Sequence, residues 1–285
     1  MKIKEALEEA KKELIKNNIE DSLLICRELL SFTLKQNKQY LIINQNEEIS
    51  IKQYNEFKEN IKKIINGIPL QYITNKQEFM KLNFYVDKNV LIPQPDTEIL
   101  VESVIELSKK IKANVKILDL CTGSGAIAIS IDYILKQNNI KSEVFASDIS
   151  SKALEIAKRN NQENNTNVKF ILSNLFTNID NKFNIIVSNP PYIKTKEIET
   201  LSKQVQNEPI LALNGGIDGL DFYKKIVEEA YKYITESGYL CLEIGYDQKE
   251  DVIELINKNN NYKYEKCIKD LSNNNRCIIA QVRTK

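Results

Sequence analysis

From residue 98 onward, short runs rich in β-branched residues alternate with segments of helical period, and this alternation constrains the fold more than any other feature. The runs are Lys116–Leu120, Glu143–Ser147, Lys169–Ser173, Asn184–Ser188, Tyr239–Ile244, Tyr262–Ile268 and Cys277–Val282. Helical patterns fall at about 97–111, 125–137, 151–164, 219–236 and 247–259. Strand–helix–strand succession needs crossover connections, so an α/β, doubly wound and mostly parallel sheet is expected, covered by helices on both faces. The last two strands have no helix between them, which predicts an antiparallel edge. The Asn-rich stretches "NQENNTN", "NKNNN" and "SNNN" read as loops.

The first 75 residues have no strand signal. "IKEALEEAKKELIKN" and "DSLLICRELLSFTL" carry apolar positions three and four apart, with Asp21 or Ser22 placed to cap the second helix. A shorter helix is expected around Tyr40–Ile43. In "SIKQYNEFKENIKKIING", Ser50 is the N-cap, Tyr54, Phe57, Ile61, Ile64 and Ile65 form the stripe, and Gly67 is the stop. Twelve Lys/Arg against eleven Asp/Glu in this stretch argue against a basic nucleic-acid arm, and the role expected of the bundle is docking a partner or closing over a site. Between the two regions, "FMKLNFYVDKNVLI" alternates around Asp87-Lys88-Asn89, which predicts a β-hairpin with its turn there. "IPQPDTE" follows, stiffened by Pro93 and Pro95. The expected organisation is a helical bundle over 1–75, a hairpin linker over 76–97 and a catalytic α/β domain over 98–285.

Composition narrows the chemistry. The chain has no His, so a Ser/His or Cys/His nucleophile pair and a His-ligated zinc are excluded, and no metal site is expected. Its five Cys form no CxxC pair and read as small buried hydrophobes in a reducing cytoplasm. No apolar run reaches the length of a membrane span, so no membrane partner is expected. A net charge of +1 advertises no nucleic-acid footprint.

Two strand ends carry the candidate chemistry. "VKILDLCTGSGAIAIS" sets Asp119, Cys121, Thr122, Gly123, Ser124 and Gly125 between a strand and the start of a small-residue helix. Such a loop lets a ligand approach the backbone at a helix N-terminus. Gly123 to Ala128 also fits the dinucleotide pattern GxGxxA, so the loop alone leaves the ligand open. Asp148, ending the next strand, suits a ribose in either case. Asp119 would repel a pyrophosphate and suits a ligand bearing an amino group and a sulfonium, which favours S-adenosylmethionine. At the end of the third strand, Asn174 can bond an adenine edge, and Leu175 or Phe176 can cover its face.

The second strand end is "FNIIVSNPPYIK", where Asn189, Pro190, Pro191 and Tyr192 follow the fourth strand. Prolines cannot donate and fix their own geometry. A planar NH2 is a poor nucleophile because its lone pair is delocalised. The Asn189 side-chain oxygen and the Pro190 carbonyl could hold its two N–H groups and aim the nitrogen at a methyl donor. Those bonds strengthen as charge builds on nitrogen, so they act on the transition state. Tyr192 can stack on the planar group and favour a cation. Glu208 and the loop "ALNGGIDGL" each read equally as site or as structure, while Glu243, at a strand end, reads more readily as a salt-bridged structural carboxylate than as a group facing the pocket.

Over nearly its whole length the chain resembles the release factor glutamine methyltransferases (the PrmC, formerly HemK, family). The resemblance rests on "GIPLQYIT", "EFMKLNFYVDKNVLIPQPDTEILVE", "ILDLCTGSGAIAIS", "SDIS", "FNIIVSNPPYI", "NEPILALNGGIDGLDFYKKI", "GYLCLEIGYDQ" and "DLSNNNRCIIAQV". It implies a seven-stranded Rossmann-like domain that uses S-adenosylmethionine to methylate the Gln of the Gly-Gly-Gln loop in class I peptide chain release factors. It also implies that Cys121–Gly125, Asp148, Asn174, Leu175 and Asn189 contact the cofactor, that Asn189–Tyr192 hold the Gln, and that the N-terminal helices recognise the release factor. Gln94 and Asp96 depart from the usual Arg and Glu, Leu175 replaces a residue that can be aromatic, and Asn174 and Asn184 stand where Asp is frequent. Two other readings share the motifs: an amino-methyltransferase acting on adenine or guanine in DNA or RNA, and a non-catalytic binding module of the translation apparatus.

Overall fold

The chain divides into two compact units, Met1–Asn75 with Leu201–Asn207 and Lys76–Thr200 with Glu208–Lys285. A computed structural model describes residues 1–111 and 114–284.

The first unit is helical, with α1 (Ile3–Lys16), α2 (Ser22–Leu34), α3 (Lys38–Ile43), α4 (Ile51–Ile65) and α5 (Leu70–Thr74). Ile3, Leu14, Leu29, Leu30, Phe57, Ile61 and Ile64 face one shared core, at the three-and-four spacing of amphipathic helices. Ser50 caps α4 in a reciprocal capping box with Gln53. Asp21 stands at the N-cap of α2 without a side-chain bond, and the Ser22 hydroxyl instead donates to the Ile19 carbonyl. Gly67 ends α4 at φ +87°, and a Cβ there would lie 2.6 Å from Cβ of Lys203. The segment 201–207 is held at that point by the Asn207 side chain, which donates to the Gly67 carbonyl at 3.0 Å.

In the second unit a hairpin comes first, but upstream of the expected place. Its strands are β1 (Gln77–Phe79) and β2 (Leu82–Phe84), joined through Met80 and Lys81, both at positive φ. Two such residues match the right-handed strand twist, the geometry of a two-residue turn. Asp87-Lys88-Asn89 does turn the chain, through the Asn89 N–H donating to the Asp87 carboxylate, but residues 85–94 form no strand. They run as an extended strap that returns below as a wall of the site.

The remaining elements, in chain order, are α6 (Glu98–Ser108), β3 (Val115–Leu120), α7 (Ala126–Gln137), β4 (Ser142–Asp148), α8 (Ser151–Glu163), β5 (Lys169–Leu172) and β6 (Phe183–Ser188). Then come α9 (Lys203–Gln206), α10 (Ile210–Leu213), α11 (Asp221–Glu229), β7 (Ile234–Glu243), α12 (Lys249–Lys258), β8 (Tyr262–Lys269) and β9 (Asn275–Val282). The helix expected over 219–236 stops at Glu229. Ile234 already pairs with Phe183, so β7 starts five residues before the expected Tyr239.

All seven expected strands join one sheet of order β5-β4-β3-β6-β7-β9-β8. The first five are parallel, and β9 runs antiparallel to both β7 and β8. Along β3, Val115 and Ile117 enter one apolar cluster while Leu118 and Leu120 enter another, so both faces are covered. The chain leaves β3 toward β4 on one side, while β6 lies on the other. Adjacent parallel strands whose connections diverge leave a crevice beyond their carboxyl ends, which is where open α/β sheets bind ligands. The glycine loop follows β3 and NPPY follows β6. No helix among the described residues is long and apolar enough to cross a membrane.

Candidate active site

The glycine loop is built from the sheet edge outward. Cys121, Gly123 and Gly125 all take positive φ, which reverses the chain within five residues before α7 begins. A Cβ on Gly125 would meet the Ile129 and Ala157 side chains at 2.9 and 3.1 Å, so this glycine lets α7 and α8 pack. A Cβ on Gly123 would meet nothing within 4 Å, because that face opens onto the cleft.

Two carboxylates hold the loop. Asp148 Oδ2 accepts from the Gly123 N–H at 2.8 Å and Oδ1 from the Ser150 N–H at 2.9 Å. A carboxylate has about four acceptor positions, so about two stay open for hydroxyls. Burial raises the Asp148 pKa, against the pull of those backbone donors. Asp119 is fully buried beneath the loop, where Oδ2 accepts from the Thr122 hydroxyl at 2.5 Å and the Ala128 N–H at 3.3 Å. Its Oδ1 is enclosed without a partner among the described residues, and burial pushes the carboxyl up to about 7.

A cleft of about 320 Å³ opens beside this loop. Of the residues singled out in the sequence, Cys121, Gly123, Asp148, Asn174, Leu175, Asn189 and Pro191 line it. Thr122 and Ser124 line a smaller neighbouring recess together with Gln94, Thr97 and Asn189. Asp119, Gly125, Pro190 and Tyr192 line neither. Leu175, at φ 48°, is the residue of its pair that reaches the cleft, whereas Phe176 is buried and stacked on Tyr233 at 4.8 Å. The opposite walls come from two segments of which the sequence had marked only parts, the turn at Lys88-Asn89 and the loop that begins at Ala212. The segments are the strap at Lys88–Leu91 and the stretch carrying Pro209, Leu211 and Ala212. Glu208 stands outside the cleft, where its carboxylate accepts from the Ile92 N–H at 2.9 Å and ties those two walls together.

NPPY is gripped from its C-terminal side. The Ile193 N–H donates to the Leu213 carbonyl at 2.9 Å and the Gly215 N–H returns a bond to the Ile193 carbonyl at 2.8 Å. A Cβ on Gly215 would lie 2.7 Å from the Tyr192 Cα and 2.8 Å from the Pro191 oxygen. The buried Gln248 side chain donates to the Tyr192 carbonyl at 3.0 Å. The loop "ALNGGIDGL" is therefore a buttress of the tetrapeptide. Among the described residues no donor reaches the Asn189 side-chain oxygen or the Pro190 carbonyl, which leaves two acceptors on adjacent residues.

Beneath NPPY lies a polar cluster. The Asn189 side-chain nitrogen donates to the Thr97 hydroxyl at 3.3 Å. Glu243, at the end of β7, is 2% exposed and faces the Thr97 and Asn189 side chains, and burial pushes it up to about 7. The Arg276 guanidinium donates to Asp270 at 3.0 Å, to Asp96 at 3.2 Å and to the Ile244 carbonyl at 3.4 Å. Asp96, whose charge the sequence left without a role, thus anchors the segment before α6. The Tyr192 phenol faces Glu243 and Arg276, and burial raises its pKa. Thr97 escaped the sequence reading because it meets Asn189 only across 92 residues of chain.

Residues 94–215 match the family model of the methyltransferase small domain, and residues 5–74 match that of the PrmC N-terminal domain. A release factor glutamine methyltransferase of Clostridium acetobutylicum is 41% identical over 289 residues, covering 98% of each chain. One from Thermodesulfovibrio yellowstonii is 40% identical, covering 90% of this chain and 91% of its own. Among solved structures, a methyltransferase from Pyrococcus furiosus has a TM-score of 0.52 at 18% identity, covering 80% of this chain and 99% of its own, a likeness of fold.

Proposed function

We propose the following chemistry from one premise: this chain belongs to the family of release factor glutamine methyltransferases. It is an enzyme that transfers a methyl group to glutamine in a release factor. The methyl donor is S-adenosylmethionine, and the target is the side-chain amide of the Gln in the Gly-Gly-Gln loop of class I factors.

The residues at the switch point fit that donor. Asp148 offers acceptors for ribose hydroxyls, Asn174 and Leu175 offer an amide and an apolar face for adenine, and Gly123 leaves room for backbone approach. The orphaned Asp119 Oδ1 is an acceptor in want of a cationic donor, although its burial makes loop support its visible task. When bound, S-adenosylmethionine supplies an electrophilic methyl on a sulfonium.

The chain's own residues position the nucleophile. Asn189 Oδ1 and the Pro190 carbonyl each accept one N–H of the substrate amide, fixing its plane. The amide nitrogen gains positive character as it bonds to carbon, and both hydrogen bonds then strengthen, as preorganised electrostatic stabilisation requires. Pro190 and Pro191 hold this geometry without an entropy loss at the moment of reaction. The nitrogen's surplus proton leaves to solvent. No His is needed for any of this.

The observation that carries the reading is the pair of acceptors at Asn189 and Pro190 that no donor among the described residues reaches, beside the Asp148-bound glycine loop. The test is incubation with methyl-labelled S-adenosylmethionine and a purified release factor. Label in the release factor, lost when its loop Gln is replaced, supports the reading. Label in DNA or ribosomal RNA instead would establish the base-amine alternative.

A further inference from the structure

We propose that Glu243 is a positioning residue that fixes which end of the Asn189 amide meets the substrate, an inference that rests on the reaction proposed above. An Asn side chain presents oxygen at one end and NH2 at the other, nearly equal in shape, so its surroundings decide the orientation. Behind Asn189, among the described residues, stand the Thr97 hydroxyl and the Glu243 carboxylate, both able to accept. The Thr97 hydroxyl lies 3.3 Å from the amide nitrogen, and the Glu243 carboxylate faces both side chains. Glu243 Oε2 is enclosed with no hydrogen-bond partner among the described residues.

Turning the amide over would set its oxygen against a buried carboxylate, leaving two acceptors facing each other in a poorly screened place. With NH2 inward, the amide donates to Thr97 while the Thr97 hydroxyl donates on to Glu243. The Asn189 oxygen then faces outward, where the substrate N–H must be accepted. Glu243 thus acts through Asn189 without touching the substrate.

The device depends on charge. The groups facing Glu243 are Asp96 and Thr97 ahead of α6, Asn189 and Tyr192 of NPPY, and Arg276 and Cys277 of β9. From α11, the Tyr223 hydroxyl donates to the Glu243 backbone carbonyl at 2.9 Å. Arg276 favours the carboxylate, Asp96 opposes it, and burial dominates, so the group titrates near 7. Protonation puts an O–H beside the Asn189 amide and removes the preference for NH2 inward.

The experiment measures kcat on a release factor from about pH 5.5 to about pH 8.5, for wild type and Glu243→Gln, with Asn189 side-chain NH2 resonances followed by NMR. Wild-type kcat is expected to rise through about pH 7, and its Asn189 resonances to titrate over the same range. Glu243→Gln, whose amide can donate to a turned-over Asn189, should lose about 10²-fold in kcat and the acid limb, with cofactor affinity unchanged. Glu243→Asp should recover part of the loss. Wild-type kcat and pH profile in Glu243→Gln would overturn the proposal. If that variant does not fold, Asn189 resonances in wild type that ignore pH would overturn it equally. A wild type inactive on release factors would instead remove the reaction assigned above, while the NMR titration still decides the role of Glu243.

Discussion

The Gly123 N–H donates to Asp148 Oδ2 at 2.8 Å, so the acid ending β4 also shapes the loop ending β3. On the function proposed above Asp148 has two tasks, accepting from a ligand and holding the loop that admits it. Asp148→Ala should weaken S-adenosylmethionine binding by more than one lost hydrogen bond. Charged hydrogen bonds are worth about 1.5–3 kcal/mol, or about ten- to a hundredfold in affinity. Calorimetric titration measures it; an unchanged Kd would remove Asp148 from the site.

Gly215→Ala tests the buttress. The new Cβ would fall 2.7 Å from the Tyr192 Cα and 2.8 Å from the Pro191 oxygen, contacts that force backbone apart. Overpacking of this kind destabilises by about 1–3 kcal/mol. Turnover should fall well beyond what the loss of folded protein explains, while S-adenosylmethionine still binds, because the glycine loop lies on another strand. Thermal unfolding, cofactor titration and kcat on one preparation separate the effects, and normal turnover would show that the contact does not set NPPY.

The pH dependence of stability follows mainly from three buried carboxyls, with Asp148, also raised by burial, acting in the same direction. Burial pushes Asp119, Glu208 and Glu243 each up to about 7, from 3.8 for Asp119 and 4.5 for the two glutamates. Between those values and 7 the native chain holds protons that the unfolded chain has lost. Stability therefore decreases as pH rises through this window. The ligand-free protein should melt at a higher temperature near pH 5.5 than near pH 8, and Glu208→Gln should flatten the slope. A Tm that climbs across the window would contradict these burial assignments.

The mostly parallel sheet with its antiparallel edge, the glycine loop and NPPY were legible because each depends on residue types close together in the chain, whereas the order of the strands was not. Alternation gave away the parallel sheet, and a glycine or proline at a strand end is a local signal. The hairpin misled because Met80 and Lys81 lack turn chemistry, while Asp87-Lys88-Asn89 displays it without pairing strands. Asp119 suggested a ligand contact through its charge. Its burial, which binds it to Thr122, shows only in three dimensions. Thr97 and Glu243 reach Asn189 from two other segments, so no spacing in the sequence announces them.

On the function proposed above, Asn189 holds the substrate amide in place for methyl transfer. Asn189→Ala tests this, with kcat on a purified release factor and the Kd for S-adenosylmethionine measured on the same preparation. Removing one preorganised partner of a transition state typically lowers kcat by about 10²–10³-fold. A loss of that size with cofactor affinity largely kept is the predicted result. Unchanged turnover, or a loss that merely tracks weaker cofactor binding, would contradict it.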